Sequence, residues 1–298
     1  MKVYDRLDAL PEGRAGESVC EGTLVLEGGA WRGLYTVGVL DCLMLHDVNL
    51  RTTVGISAGG LAGMGYVSGQ IGWGARIDLT YRHDRRYCGL LAYPRDHGIT
   101  GFSYLFKELL TRHPIDRERF DDPMRRFLVG ATNMLTGEIE YFEKGRCDIL
   151  RAVQASATVP YVSRPVVIGG TPYLDGGCAV KIPYDWAKKN EKSGKIVVVK
   201  TRERSYRREE KKNRLARAMY ARYPAFVRSF EGTNARFNRE AEELETEEKA
   251  GRVFIAAPSR PVTVSRFEGD MQKLGDLYWL GFHDMEARVD ELKAYLGG

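Results

Sequence analysis

Twice before Tyr66 this chain runs from a short apolar segment through glycines into residues at helical spacing, and that order admits few folds. Thr23 to Glu27, TLVLE, breaks at Gly28-Gly29, after which Gly33 to His46 sets Leu34, Val37, Leu40 and Leu43 or Met44 on one helical face. Thr53 to Met64, TVGISAGGLAGM, repeats the plan with a β-branched run, a sharp turn at Gly55 to Gly59 and a helix of small residues. Two successive strand-loop-helix units predict a parallel sheet with right-handed crossovers.

The rest of the chain extends that sheet. Gly69 to Asp122 is irregular around a short helix at Tyr104 to Arg112 and reads as a lid-like or surface subregion. Phe127 to Thr132 and Glu138 to Glu143 are strands joined by a turn, and Asp148 to Ala157 is a helix with Asp148 near its N-cap. Val166 to Leu174 is a hairpin turning at Gly169-Gly170 that leads into Asp175-Gly176-Gly177. Lys195 to Thr201 is a strand, Asn234 to Ala250 a charged helix, Arg252 to Ala257 a strand, and Asp270 to Leu296 one or two closing helices. The fold class expected is a three-layer α/β/α sandwich with a central, mostly parallel sheet and a mainly helical C-terminal extension. The divisions are an N-terminal arm (1–20), a catalytic domain (21–200) and a basic C-terminal region (201–298) completing or extending it.

The turn at Ser57 carries the first chemical signal. Glycines two residues before and after a serine let neighbouring backbone pack close and hold the hydroxyl above the sheet edge, the position of a nucleophile. A chain with 33 glycines produces such a pattern by accident often enough that the surroundings must decide. Acyl transfer needs a nucleophile, a base and preformed donors for the oxyanion. The glycine-rich loop Gly28 to Gly33 leaves the sheet one strand earlier and opens a helix, so its free amides, beside that of Ala58, suit the donor role. Asp175, fixed by Gly176 and Gly177 on a tight loop at a hairpin end, is the candidate base. A hydrogen bond to Ser57 in a desolvated cleft would raise its basicity, and no histidine is then required.

GGAWRG at 28–33, GISAG at 55–59 and DGG at 175–177, in this order, resemble the oxyanion loop, nucleophile elbow and dyad aspartate of the patatin-like phospholipases, serine acyl hydrolases built on an α/β sheet. The resemblance covers roughly residues 22 to 200 and includes the run ASATVPYVSRPVVIGGTPYLDGG. It implies Ser57 as nucleophile, Asp175 as base, and the Gly28, Gly29 and Ala30 backbone as the oxyanion hole. Arg32, Gly33, Gly55, Gly59, Gly176 and Gly177 are then supporting loop residues. The implied activity is cleavage of lipid or lysolipid carboxylic esters through an acyl-Ser57 intermediate, without metal or organic cofactor.

Composition limits the alternatives. The 43% hydrophobic and 29% charged fractions are ordinary for a globular chain, no apolar run approaches a membrane span, and the first residues lack a signal-peptide core, so a cytoplasmic protein is expected. Five scattered cysteines show no metal-type spacing. A net charge of +5 is too mild to imply nucleic acid. From Arg202 to Arg228, however, ten Lys or Arg stand against three Glu, interleaved with Tyr206, Met219, Tyr220, Tyr223, Phe226 and Phe230. Residues 202–230 could lie peripherally on an anionic inner-membrane surface, or form a solvated helical face. Two other functions remain open: a Ser-Asp-His esterase using His283, and a non-enzymatic protein binding phosphate or nucleic acid. His283 falls in a helical pattern, which disfavours the first, and the Gly28 loop lacks the dinucleotide and P-loop signatures, which disfavours the second.

Overall fold

The computed structural model describes residues 2–210 and 213–297. In chain order, β1 (Gly13–Arg14) precedes β2 (Cys20–Leu26), α1 (Gly33–Leu45), β3 (Leu50–Ile56) and α2 (Ala58–Val67). Then come β4 (Gln70–Ile71), α3 (Trp73–Tyr81), α4 (Tyr93–Asp96), a π-helical turn at Tyr104–Leu109, α5 (Leu110–Arg112) and α6 (Arg117–Asp121). Strands β5 (Arg126–Asn133) and β6 (Ile139–Glu143), helix α7 (Ile149–Ser156), strands β7 (Val166–Ile168) and β8 (Thr171–Asp175), helix α8 (Tyr184–Asn190) and strand β9 (Ile196–Val199) follow. The chain closes with α9 (Arg214–Met219), α10 (Pro224–Lys249), β10 (Val253–Ala256), α11 (Met271–Glu286) and α12 (Val289–Leu296).

Eight strands form one sheet in the order β10-β9-β2-β3-β5-β8-β7, with β6 also on β5. The pairs from β10 through β5 are parallel, while β6, β7 and β8 join antiparallel. Burial on both faces explains the unbroken apolar strands. Leu24, Leu26, Val197, Val199 and Phe254 face a layer containing α1, α2 and α11, whereas Val25, Val198, Val253 and Ile255 face Tyr184 and Ala187 of α8 and Phe237 and Leu244 of α10. This is the expected three-layer sandwich.

The C-terminal part is built into those layers. β10 pairs in register with β9, and α11 lies along α1 at backbone distance. A Cβ on Gly38 would meet the Tyr278 carbonyl oxygen at 2.0 Å, and one on Gly281 would meet that of Tyr35 at 2.1 Å. Where the two helices cross, Asp41 accepts from Tyr278 Oη at 2.8 Å and from the Gly72 amide at 2.9 Å. The N-terminal arm is also tied down: β1 pairs with β4, and Tyr4 is buried against Gly275.

Two elements differ from expectation. The irregular region after Gly69 contains the helix α3, and the charged helix expected from Asn234 begins at Pro224, inside the basic stretch. Proline at the first turn is a helix-start signal that the surrounding charges mask. The described part of that stretch pairs much of its charge within the chain: Arg204 pairs with Glu248, Arg207 with Glu245 and the exposed Arg217 with Glu231. Its aromatics pack against the body, Tyr206 against Phe237 and Tyr220 against Tyr161. Arg214, Leu215, Met219 and Arg222 remain exposed, while Lys211 and Lys212 of the predicted membrane-facing run lie outside the described residues. No helix among the described residues is long and apolar enough to cross a membrane.

Candidate active site

Ser57 joins β3 to α2 with φ 54° and ψ −120°. Side-chain-bearing residues rarely adopt that backbone, and strand-to-helix turns that expose a nucleophile use it. The flanking glycines are sterically required. A Cβ on Gly55 would lie 2.6 Å from the Gly59 carbonyl carbon, and one on Gly59 would lie 2.6 Å from the Leu26 oxygen. The Ser57 amide donates to Ser156 Oγ at 2.8 Å. Ser156 is wholly buried at the end of α7, a site residue that the sequence reading did not single out.

Asp175 ends β8 beside it. Ser57 Oγ donates to Asp175 Oδ2 at 2.8 Å, and the Gly177 amide donates to Oδ1 at 2.7 Å. The Asp175 amide donates to the Thr158 carbonyl at 2.9 Å, and Thr132 Oγ1 donates to the Asp175 carbonyl at 2.9 Å and reaches that of Gly176 at 3.2 Å. Burial pushes the carboxyl above the usual aspartate range, while the Ser57 hydroxyl, the Gly177 amide and the charges of Lys181 and Arg266 pull it back. The balance makes it a stronger base than a free aspartate.

The glycine loop arrives from the end of β2. Its Gly33 sits so close to the Ser57 turn that an added Cβ would fall 2.8 Å from the Ala58 Cβ. Of the amides expected to face an oxyanion, that of Gly28 is already taken, donating to the Lys181 carbonyl at 3.1 Å. Gly28 therefore turns the chain and does not supply a donor. The amides of Gly29, Ala30 and Ala58 have no acceptor among the described residues. Ala30 reaches this position with φ 49°, the left-handed region usually left to glycine. Arg32 is buried, and its Nε has no partner among the described residues.

Two lobes of one cleft meet at Ser57. The larger, about 1070 Å³ with its mouth included, is walled by Trp31, Leu61, Met64, Trp73, Ile77 and Phe106. Part of that wall is α3 and the π-helical turn, so the subregion read as lid-like lies over the nucleophile. The smaller, about 520 Å³, is lined by Asp175 and by Arg32, Lys181, Arg208 and Arg266. A serine hydroxyl bonded to a carboxylate, with unpaired amides on one side and a mainly apolar slot on another, has the components for acyl transfer from an ester of an apolar acid.

His283 has no part in this arrangement. It lines neither lobe and bonds Glu286 at 3.1 Å on α11. His113 bonds Tyr81, and His83 meets the Gly269 carbonyl. No group of three His, Cys, Asp or Glu among the described residues is placed to hold a metal ion.

Comparison with known proteins agrees with the geometry. The family model described as Patatin-like phospholipase matches residues 24–187, and a second, described as a domain of unknown function (DUF6363), matches residues 223–297. The chain is 28% identical over 184 residues to the uncharacterized protein YjjU of Escherichia coli, a match covering 60% of this chain and 51% of that one. It is 29% identical over 202 residues to the probable lipid hydrolase 463L of Invertebrate iridescent virus 6, covering 60% and 69%. Lysophospholipase NTE1 of Meyerozyma guilliermondii is 26% identical over 183 residues, which is 59% of this chain but 12% of that protein. The chain thus spans about half the length of YjjU and a small part of NTE1. With more than half of its residues inside the family's own model, and with all three motifs converging on Ser57, the chain belongs to the patatin-like phospholipase family.

Proposed function

We propose that the protein is a serine hydrolase of lipid carboxylic esters, using Ser57 and Asp175 as a two-residue machine. The observation that carries this reading is the 2.8 Å hydrogen bond from Ser57 Oγ to Asp175 Oδ2 at the mouth of an apolar lobe. Asp175 accepts the Ser57 proton as Oγ attacks the ester carbonyl. The tetrahedral oxyanion develops against the amides of Gly29, Ala30 and Ala58, each such donor contributing about 3 kcal/mol to the transition state. Collapse breaks the bond to the leaving alcohol, which takes the proton from Asp175 and leaves acyl-Ser57. Water, activated by Asp175, then releases the acid. The acyl chain occupies the lobe walled by Trp31, Leu61, Met64 and Phe106. The relatives named lipid hydrolase and lysophospholipase support a lipid or lysolipid ester as substrate.

The site needs no cofactor in this reading, and the compartment is the cytoplasm. Membrane contact is peripheral, through the exposed Arg214, Leu215, Met219 and Arg222. Flotation with anionic vesicles tests that part, and equal behaviour with neutral vesicles would remove it. A serine-reactive fluorophosphonate should label the wild type one-to-one and leave Ser57→Ala unlabelled. Asp175→Asn should lower kcat by roughly 100- to 10,000-fold. His283→Ala should leave turnover unchanged. An unlabelled but folded wild type would sink the hydrolase reading, and a large loss in His283→Ala would return the case to a triad.

A further inference from the structure

A separate hollow of about 760 Å³, its mouth included, lies on the seam between the lid-like subregion and the body, and neither Ser57 nor Asp175 lines it. Arg95 and Lys107 line it from the subregion, and Arg151 on α7 and Arg164 ahead of β7 line it from the body. His97 adds an imidazole. Asp96 is the carboxylate among the lining residues, and one of its oxygens is spent on the Ser103 amide and hydroxyl, both at 2.8 Å.

These cations are scarcely used within the chain. The side chains of Lys107 and Arg164 are exposed and make no hydrogen bond or ion pair among the described residues. Arg151 donates to Gln154 Oε1 at 2.9 Å and reaches the Val167 carbonyl at 3.5 Å, both neutral acceptors. Arg95 lies 4.0 Å from Glu108, a carboxylate that also faces Arg86 at 3.8 Å. Elsewhere the chain pairs its arginines closely, Arg126 with Glu143 and Arg288 with Glu291. Four like charges around one hollow repel one another, and an anion between them reverses the sign of that interaction. The hollow also backs onto the active site. Phe106, on the π-helical turn, lines both it and the larger lobe at Ser57. Helix α7, which presents Arg151 and Gln154 to the hollow, ends in Ser156, whose Oγ holds the Ser57 amide at 2.8 Å. Backbone contacts stitch the two sides together: the Arg164 amide donates to the His97 carbonyl at 2.8 Å, and Gly98 bridges Ser163.

We infer that this hollow binds the diphosphate group of a small soluble molecule, which braces the subregion against the body and so steadies the wall of the larger lobe. Two cations from each side suit a ligand with two anionic groups. Arginine forks take phosphate oxygens in pairs, and a lysine adds a point charge. A monocarboxylate offers one anionic group and leaves the other pair of cations unmatched. The ligand acts from behind Phe106 as an effector and not as a substrate, since the hollow holds neither the nucleophile nor its base. Binding and bracing are both independent of what Ser57 does, and both are read without a substrate.

Calorimetric titration of the full chain with pyrophosphate, at about 0.15 M salt where loose surface attraction is screened, should give one-to-one binding. Arg164→Gln and Lys107→Gln should each weaken it roughly 10-fold, the loss of one charge-assisted contact, and Arg164→Glu should abolish it. Both side chains are exposed and unbonded, so these variants should fold. Lys189→Gln on α8, outside the hollow, should bind as the wild type does. With pyrophosphate bound, hydrogen exchange of the Tyr104–Leu109 amides should slow several-fold, and Arg164→Glu should show no slowing. No binding by the wild type, or binding that Arg164→Glu leaves intact, overturns the inference. Unchanged exchange in the loaded wild type overturns it as well, because the anion would then sit there without bracing anything. Flotation with phosphatidate vesicles that is lost in Arg164→Glu, from a wild type that ignores pyrophosphate, would overturn it in favour of a membrane surface.

Discussion

The backbone amide of Ser57 points away from the cleft, into a 2.8 Å hydrogen bond with the buried Ser156 Oγ. That bond holds a residue at φ 54°, where the chain alone would relax. Ser156→Ala should therefore misplace the nucleophile more than it weakens the fold. A fall in kcat of about 10-fold, with KM little changed, is the expected result, from a bond worth about 1 to 2 kcal/mol. A lowered melting temperature with unchanged kcat would make Ser156 a packing residue only.

The pH profile should have two limbs of separate origin. Asp175 acts as base only when ionised, and its carboxyl is raised by burial, so activity rises with pH through a value above the ordinary aspartate range. Lys181 loses its charge as pH passes about 8. That charge lies in the lobe lined by Ser57 and Asp175, where it favours the developing oxyanion, so kcat/KM should fall there, and Lys181→Arg should move the fall to higher pH. An alkaline limb that Lys181→Arg leaves in place would detach Lys181 from the reaction.

Asp41 makes stability depend on pH in the sense opposite to a surface carboxylate. Burial raises it to about 7, despite hydrogen bonds from Gly72 and Tyr278. Between about pH 4 and 7 the folded state holds a proton that the unfolded chain has released, so stability falls as pH rises through that window. The penalty, complete above pH 7, is on the order of a few kcal/mol. Asp41→Asn should melt about 5 °C higher than wild type at pH 8 and show no such gain at pH 5. Parallel melting curves across pH would refute this.

Gly281→Ala tests the helix crossing. The new methyl would meet the Tyr35 carbonyl oxygen at 2.1 Å, and that atom belongs to the backbone of a helix, so α11 must move as a body. A loss of roughly 3 kcal/mol or more is expected in urea unfolding. Gly232→Ala, where nothing lies within 4 Å, is the control.

Legibility in the sequence followed the range of the constraint. The turn at Ser57 and the capped Asp175 were readable because the steric need for Gly55 and Gly59, and the Gly177 amide on Asp175, act within a few residues. The continuous burial of β2 and β9 was readable as unbroken apolar runs for the same reason. Ser156, Lys181, Arg208 and Arg266 were not, because each becomes meaningful only when α7, the Asp175 loop and the C-terminal loops are folded onto one cleft. Helix α3 was missed where Gly72, left-handed at its N-cap, and the charges of Arg76 and Asp78 look like loop. The Gly28 amide was assigned to the oxyanion because a loop's donors can be counted in sequence, whereas its acceptor, the Lys181 carbonyl, cannot.

The contact between α1 and α11 also sets a timetable. Asp41 and Tyr278 are 237 residues apart, and a ribosome adding about 5 to 20 residues per second needs on the order of 10 to 50 s to bridge that gap. Until then the helix leading away from the glycine loop has made but cannot cover its apolar face. The nascent chain must carry that face through the crowded cell, so chaperone dependence and inclusion-body formation should respond to changes in α11 far more than to changes around Ser57.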